Sequence, residues 1–436
     1  MFDEAIDKLK DELIRSLCTN IRIKSDAQPP EDGKPNGPGA AHALEHALRT
    51  ATQLGFQTKD LEGYAGYAEY GQGPEMVAVL GHLDVVPAGD GWVHPPFAGI
   101  IDDGKIYGRG TVDDKGPIFA ALYGLKAIKD SGLPLSRRIR IIFGVIEETG
   151  CQDMEHYVDK EELPVTGFTP DCSFPVIHAE KGVLNVTFVK EFRELEDSYV
   201  TLESLSGGNA VNMVPDKASA VIRVNGQEVQ LSTTGKSAHG SRPELGKNAC
   251  FPMLDVLSRQ DLPLEIQDSF AYLAYALGQE TLGENLGIAC TDQVSGPLVV
   301  NLGLLKGDMK QLRGSLNIRY PVTASKDKLL SGLSKDFAKG GFELESFSHM
   351  PPIFEPVDSP LVTALSQVFT EKTGMELPPA STGGATYARS MPNILGFGPQ
   401  FPGEEDLCHQ PNEFISVDRL VLLAKIYAQA MYELAK

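Results

Sequence analysis

A histidine and an aspartate stand two residues apart where an apolar run of the sequence ends. The run Met76–Leu80 predicts a buried strand of a parallel sheet, and His82 and Asp84 follow it. Because residues two apart share one face of a strand, the carboxylate can orient the imidazole, as it does for many metal-binding histidines. A buried hydrogen-bonding pair has the same spacing. The pattern therefore indicates either a core pair or half of a metal site at a strand end, where open α/β sheets carry ligands.

Pairs of carboxylates follow at two later points of the chain. Asp113 and Asp114 precede a predicted helix, Ile118–Ile128, where acidic residues are also favoured by the helix dipole. Glu147 and Glu148 directly follow the apolar run Arg140–Ile146. Two adjacent carboxylates at a strand end repel each other unless a cation or a proton neutralises one of them. The glutamate pair therefore favours a cation site.

An aspartate and a histidine further along the chain complete a possible ligand set. Asp171 could be a helix cap and His409 a surface loop histidine. With the earlier groups, however, they supply an imidazole and carboxylates for each of two divalent cations, with one carboxylate bridging. This order of residues is the pattern of a di-metal aminoacylase or peptidase.

These motifs resemble those of the M20 metallopeptidases and, within that family, the bacterial dipeptidases of the PepV type, which act on Xaa-His and β-alanyl dipeptides. The resemblance covers nearly the whole chain. It rests on Gly81–Pro87, Gly108–Pro117, Glu147–Gly150, Thr169–Gly182, Asn209–Asp216 and His409–Ser416.

The resemblance implies a ligand set for two ions. His82 and Asp171 would bind one ion, Glu148 and His409 would bind the other, and Asp113 would bridge them. The ligand types suit zinc first, with manganese or cobalt as alternatives, and the affinity order alone does not select among these metals.

The resemblance also assigns roles between neighbours that chemistry alone leaves equal. It makes Glu147 the general base, and it makes Asp113 rather than Asp114 the bridge. Asp84 would join Glu147 in the catalytic machinery by orienting His82. The implied mechanism is hydrolysis by a metal-bridging water that loses its proton to Glu147, after which the same glutamate protonates the leaving amine.

Four further residues are candidates for substrate contacts. The resemblance implies that His239 polarises the scissile carbonyl, and that Arg319 and Asn212 hold the C-terminal end of the substrate. Backbone N–H groups around Gly384 would lie near the same carboxylate. From the residues alone, a loop histidine, a solvated strand arginine, a turn asparagine and a plain tight turn are equally good interpretations.

The order of helical and strand patterns predicts an α/β fold with two domains. Residues 1–182 and 351–436 would form a discontinuous, di-metal aminopeptidase-like catalytic domain, with a mixed sheet flanked by helices. Residues 183–350 would form an inserted α+β lid that recognises substrate. Its predicted strands are Val183–Val189, Lys217–Val224, Gln227–Thr233 and Leu312–Tyr320.

Composition limits the partners and the location. The chain has 436 residues, 42% hydrophobic content and a net charge of −20, so neither nucleic acid nor an anionic membrane is expected as a partner. The N-terminal segment reads as an amphipathic helix without a signal-peptide pattern, and six cysteines without a Cys-x-x-Cys motif fit a reducing compartment. A cytoplasmic protein is therefore predicted, and the resemblance suggests a monomer.

The predicted function is that of a metal-dependent dipeptidase acting on unblocked dipeptides, so the expected partner is a small peptide substrate. The first alternative keeps the chemistry but changes the substrate, as in an N-acyl amino acid deacylase such as a succinyl-diaminopimelate desuccinylase or an acetylornithine deacetylase. The second alternative is a binding protein without catalysis. The presence of all five implied ligands and of Glu147 speaks against the second.

Overall fold

The computed structural model describes residues 1–193, 196, 198–278 and 280–436. Within these residues the chain forms two compact units. The first unit comprises Met1–His178, Glu355–Ala380 and Thr386–Lys436, and the second comprises Ala179–Phe354 and Ser381–Ala385. The chain leaves the first unit at 178/179 and returns at 354/355, close to the predicted crossings at 182/183 and 350/351. The second unit also takes the segment around Gly384, which the sequence-based division places with the catalytic half.

The N-terminal part of the first unit alternates helices and strands. Its elements are α1 Asp3–Ile21, α2 Gly37–Gln53, β1 Gln57–Leu61, β2 Ala65–Tyr70, β3 Met76–His82, β4 Ile100–Asp102, β5 Lys105–Tyr107, α3 Lys115–Ser131, β6 Arg138–Gly144, α4 Gln152–Lys160, β7 Thr166–Thr169 and β8 Cys172–Ser173, and a 3-10 turn spans Glu147–Thr149. Strand β9, Ile177–Glu180, then crosses the boundary at 178/179.

The second unit is an α+β structure built on an antiparallel sheet of order β13-β12-β11-β16-β17-β10-β18. Side chains of α5, α6 and α7 form one core with the sheet, in which Met253, Phe270 and Phe337 are buried with Leu184 and Leu316. The elements are β10 Gly182–Glu191, β11 Val200–Gly207, β12 Lys217–Val224, β13 Gln227–Thr234, α5 Cys250–Leu257, α6 Leu264–Leu277, β14 Thr291–Asp292, β15 Gly296–Pro297, β16 Val299–Gly307, β17 Gln311–Tyr320, α7 Lys326–Phe337, β18 Glu343–Met350 and β19 Ile353–Phe354, with 3-10 turns at Pro243–Leu245 and Ala338–Gly340.

The C-terminal part of the chain returns to the first unit. Its elements are α8 Pro360–Thr373, β20 Ala380–Thr382, β21 Ile394–Gly396, β22 Pro399–Gln400, β23 Phe414–Ser416 and α9 Val417–Ala435, with a 3-10 turn at Tyr387–Ser390. Helix α9 packs against both α3 and α1, so the N-terminal and C-terminal helices share one core.

The mixed sheet of the first unit brings several strand ends to one edge. Strands β3, β6, β7 and β21 are parallel neighbours, whereas β2 joins β6 in the antiparallel sense. In this register His82 lies beside Gly144. Every residue of β3 is buried, and α3 and α9 both contact the strand, which explains its continuous apolar run. The predicted class, α/β with a mixed sheet flanked by helices, is confirmed.

A buried arginine on β6 gives a stability prediction for the first unit. Arg140 donates to Glu69 (2.7 Å), to the Tyr157 hydroxyl (2.8 Å) and to Glu161 (3.2 Å), and its guanidinium lies 3.8 Å from the centre of the Tyr67 ring. We expect Arg140→Gln to lower the free energy of unfolding by about 3 kcal/mol, because the variant breaks the ion pairs of a buried cation with Glu69 and Glu161, whose side chains are themselves largely buried.

Urea denaturation followed through the single tryptophan, Trp92, measures this change, since Trp92 lies in the first unit. The control is Arg49→Gln, which breaks an exposed i,i+4 pair with Glu45 in the same unit. It should change the free energy of unfolding by no more than about 0.5 kcal/mol. Equal effects of the two variants would contradict the prediction.

Candidate metal centre

Two groups of imidazole and carboxylate side chains converge in the first unit. One group contains His82, Asp113 and Asp171, and the other contains Asp113, Glu148 and His409. Within each group, one potential ligand atom per residue lies within 4.8 Å of the others. The structure thus brings together all five residues that the sequence analysis proposed as ligands.

Asp113 lies between the two imidazoles. Its Oδ1 is 3.0 Å from His82 Nε2, and its Oδ2 is 3.0 Å from His409 Nε2. A carboxylate that turns one oxygen toward each group has the geometry of a bridging ligand. Both histidines present Nε2 to this carboxylate, which leaves Nδ1 of His82 facing Asp84.

The spacing of the donor atoms fits two divalent ions. His82 Nε2 lies 3.7 Å from Asp171 Oδ2, and His409 Nε2 lies 3.1 Å from Glu148 Oε2. Ligand atoms about 2.0–2.2 Å from a tetrahedral ion are about 3.3–3.6 Å apart, close to these distances. Three protein ligands per ion, counting Asp113 in both groups, also leave the open position that catalytic metal sites need.

The carboxylates of this site are buried and repel one another, so their ionised forms need positive charge nearby. Burial and the charge of Asp113 raise the pKa of Asp171 to about 7. Burial, together with the charge of Asp113, also raises the pKa of Glu148. Hydrogen bonds to Asp113 and Glu148 raise the pKa of His409 to about 11. Protons or divalent cations can supply the charge that such a cluster requires.

Asp84 connects the His82 strand to the turn that carries the two glutamates. Its Oδ1 accepts the backbone N–H of Glu147, and its Oδ2 accepts that of Glu148, both at 3.1 Å. The same Oδ1 lies 3.3 Å from His82 Nδ1. The spacing of His82 and Asp84 predicted the imidazole contact, but not the second role as an anchor for the glutamate turn.

This double use of the Asp84 carboxylate gives a second prediction. We expect Asp84→Asn to weaken metal binding by about 10–100-fold, the usual cost of losing a partner that orients a ligand. The amide is isosteric, but one of its ends is an NH₂ group that must face a backbone N–H. Competition with a chelator measures the affinity. The matched control is Asp90→Asn, a substitution at an exposed aspartate that should retain the parent metal affinity. Parent affinity in Asp84→Asn would contradict the prediction.

The structure distinguishes the two members of each acidic pair, which the residues alone could not. Asp113 and Glu148 belong to the ligand groups, whereas among the described residues Asp114 and Glu147 belong to neither group. Asp114 instead accepts the backbone N–H of His82 at 3.2 Å. The peptide bond between Asp113 and Asp114 is cis.

Asp153, a buried aspartate that the sequence analysis missed, holds the backbone just before the glutamate turn. Asp153 Oδ2 accepts the backbone N–H groups of Val145 (2.7 Å) and Ile146 (3.1 Å), and it also accepts the Tyr387 hydroxyl. Burial raises the pKa of Asp153 to about 6. The sequence carries no signal for this role, because Asp153 reads as an ordinary acidic residue in the first turn of α4.

In the second unit, Arg319 and the Gly383–Gly384 segment lie together. Arg319 is buried, and its Nη1 donates to the carbonyl of Gly383 at 3.1 Å. Its Nε donates to Asn317 Oδ1 at 3.0 Å, so the arginine is held on β17 and is not a solvated strand residue. The backbone N–H of Gly384 donates to the Thr382 hydroxyl at 3.0 Å.

His239 and Asn212 lie in two adjoining segments of the same unit. Met213 forms a β-bridge with His239, and the Asn212 carbonyl accepts the N–H of Gly240 at 2.7 Å. Both side chains are exposed, and His239 Nδ1 lies 2.6 Å from the Ser241 hydroxyl. The substrate roles of these residues remain predictions.

Within residues 1–193, 196, 198–278 and 280–436, none of the helices combines the length and the apolar character needed to cross a membrane.

Comparisons with known proteins place this chain in a family. The model of peptidase family M20/M25/M40 matches residues 78–433. A Bacillus subtilis (strain 168) protein named "Putative dipeptidase YtjP" is 38% identical, with 98% of each chain covered. The solved structure of the dipeptidase Dug1p from Saccharomyces cerevisiae aligns over 99% of this chain and 98% of its own, with a TM-score of 0.61 and 16% identity.

A second solved structure, the metallo-carboxypeptidase Sso-CP2 from Sulfolobus solfataricus, covers 97% of this chain and 99% of its own, with a TM-score of 0.61 and 17% identity. At such low identities the structural likeness shows the fold alone. The family match and the Bacillus relative, by contrast, each cover most of the sequence. The chain is therefore a hydrolase that belongs to peptidase family M20/M25/M40.

Proposed function

We propose that this hydrolase is a metal-dependent dipeptidase that cleaves dipeptides with a free N-terminus. The observation that carries the proposal is the pair of ligand groups sharing Asp113, on a chain 38% identical over nearly its whole length to a protein named "Putative dipeptidase YtjP". The likeness to PepV-type enzymes extends the proposal to β-alanyl dipeptides.

The five converging residues would hold two ions. His82 and Asp171 would bind the first, Glu148 and His409 would bind the second, and Asp113 would bridge them. Imidazole and carboxylate ligands suit zinc, manganese or cobalt, and we propose zinc as the principal metal. Ions bound there would lower the pKa of a water molecule and polarise the scissile carbonyl.

Glu147 would carry the proton in the reaction. Its carboxylate lies outside both ligand groups but on the same turn as Glu148, which supports a role beside the ions and not as their ligand. Burial raises the pKa of Glu147, which suits a group that takes a proton from the attacking water and then gives it to the leaving amine. Asp84 fixes the backbone of this turn.

Residues of the second unit would recognise the substrate. We propose that His239 polarises the carbonyl oxygen, and that Arg319 and Asn212 bind the C-terminal carboxylate. The guanidinium of Arg319 is pre-oriented by its bonds to Asn317 and Gly383, which lowers the entropy lost on binding a carboxylate. Backbone groups near Gly384 would complete the same subsite. The protein would act as a cytoplasmic monomer.

A matched substrate panel tests the proposal. Each free dipeptide, including a β-alanyl one, is assayed beside its N-acetylated form and beside N-succinyl amino acids, before and after chelation and re-addition of zinc or manganese. We expect turnover of the free dipeptides only, lost on chelation and restored by metal. Turnover confined to the acylated compounds would overturn the dipeptidase assignment in favour of a deacylase, and turnover that survives complete metal removal would overturn the metal mechanism.

A further inference from the structure

A buried ion pair lies behind the metal centre and takes no part in the proposed chemistry. Arg109 Nη1 donates to Glu413 Oε2 at 2.7 Å, and the two side chains are 2% and 0% exposed. Burying two charges costs free energy unless further hydrogen bonds satisfy them. The groups that bond to Arg109 and Glu413 therefore show what the pair holds in place.

The Glu413 carboxylate binds the loop that presents the bridging aspartate. It accepts the backbone N–H groups of Gly110 (3.1 Å), Val112 (2.8 Å) and Asp113 (3.3 Å). Glu413 itself follows His409 by four residues, on the loop before β23. One carboxylate therefore ties the backbone of the Asp113 loop to the backbone of the His409 loop.

Arg109 extends this link to a third loop. Its Nη1 also donates to the carbonyl of Gln410 at 3.2 Å, and its Nη2 donates to that of Ala88 at 3.4 Å. The guanidinium lies 5.3 Å from the centre of the Trp92 ring, and Trp92 Nε1 donates to the same Ala88 carbonyl at 2.8 Å. Ala88 and Trp92 belong to the loop that follows β3 and His82.

The backbones of the two histidines are held in different ways. His82 ends the buried strand β3, so its backbone is fixed by the sheet. His409 lies on a loop, its side chain is 50% exposed, and its backbone has the left-handed φ of 64°. Residues other than glycine adopt that conformation uncommonly, and the surrounding structure then has to hold it.

We propose that Arg109 and Glu413 are positioning residues that fix Asp113 relative to His409, and so set the affinity of the group Asp113, Glu148 and His409 for its ion. The inference rests on the proposed metal centre. Because the link acts on the backbone of two ligand-bearing loops, it should affect the ion of this group more than the ion held by His82 and Asp171.

Metal binding by matched variants tests the proposal. Glu413→Gln keeps the shape but loses the charge and offers an NH₂ group to backbone donors. Arg109→Lys keeps the charge but loses the planar fork that reaches two carbonyls. Arg140→Gln is the control, because it breaks a comparably buried ion pair of the same unit away from the ligand loops. For each variant, zinc per chain and both dissociation constants are measured by chelator competition, and folding is checked by circular dichroism.

We expect Glu413→Gln to weaken the ion of the group Asp113, Glu148 and His409 by about 10–100-fold and the ion of His82 and Asp171 by clearly less, and Arg109→Lys to act in the same direction. The double variant should weaken the binding of that ion about as much as Glu413→Gln alone, since both substitutions break the same link. Arg140→Gln should leave both affinities unchanged.

The proposal is overturned if folded Glu413→Gln and Arg109→Lys hold both ions with parent affinity, or if Arg140→Gln shows the same selective loss. If Glu413→Gln fails to fold, Arg109→Lys alone decides between these outcomes. A parent protein that binds no ion would instead refute the metal centre itself, which distinguishes failure of the proposed function from failure of this inference.

Discussion

Replacing Glu147 by glutamine is expected to lower kcat by about 10²–10⁴-fold, the usual contribution of a general base. The amide has nearly the same size and can stay on the turn that Asp84 anchors, because that anchor binds backbone N–H groups and not the side chain. Since Glu147 lies outside both ligand groups, the variant should retain two ions per chain. Steady-state turnover and metal analysis of the same preparation measure both effects.

The adjacent residue provides the matched control for this experiment. Glu148→Gln makes the same chemical change one position further along, but at a residue whose Oε2 lies 3.1 Å from His409 Nε2. It should lose activity together with one ion, and added metal should restore part of the activity. If the two variants behaved alike, either both losing metal or both keeping it, the division of roles between the two glutamates would be wrong.

Asp113→Asn is expected to have the largest effect on metal content. The two oxygens of Asp113 face different imidazoles, so an amide cannot present an anionic oxygen to both. Affinity for both ions should fall by more than the roughly 10–100-fold that the loss of an orienting partner costs. Turnover should fall at least as far as in Glu147→Gln.

Asp171→Asn is the appropriate comparison, because Asp171 belongs to one ligand group only. It should weaken one ion and leave the other near the parent affinity. Titration of metal-free protein with zinc or manganese distinguishes the two patterns. If Asp113→Asn bound either ion with the parent affinity, the Asp113 carboxylate would not be shared by the two ions.

Periodicity located the strands that carry the site, but it did not locate their ends. The apolar run before His82 predicted β3 because every residue of that strand is buried, with α3 and α9 in contact with it. Strand β6 was predicted over Arg140–Ile146 but ends at Gly144. The reason is Asp153, which takes the N–H groups of Val145 and Ile146 out of the sheet.

Helix α3 is longer than predicted, and its first residue is a buried lysine. The predicted span Ile118–Ile128 is shorter than the observed Lys115–Ser131, since Lys115 looks like a surface residue. In the structure its Nζ is buried and donates to the carbonyls of Asn20 and Ile23. In the second unit, β18 escaped prediction for the opposite reason, because most of its side chains are exposed and leave no apolar run.

The ligand residues could be proposed from sequence because a motif resemblance supplied the pairing that spacing alone does not. Nothing comparable points to the residues that hold those ligands in place. Arg109 and Glu413 are 304 positions apart, and their pairing depends on three loops meeting. Likewise, the two hydrogen bonds that Asp84 accepts from the glutamate turn connect segments more than 60 residues apart.

Anomalous diffraction from crystals grown with manganese or zinc tests the central claim most directly. We expect two peaks, one beside His82 and Asp171 and one beside Glu148 and His409, each about 2.0–2.3 Å from its ligand atoms and both contacting Asp113. A single peak, or two peaks that do not share Asp113, would contradict the account of a bridged two-ion centre.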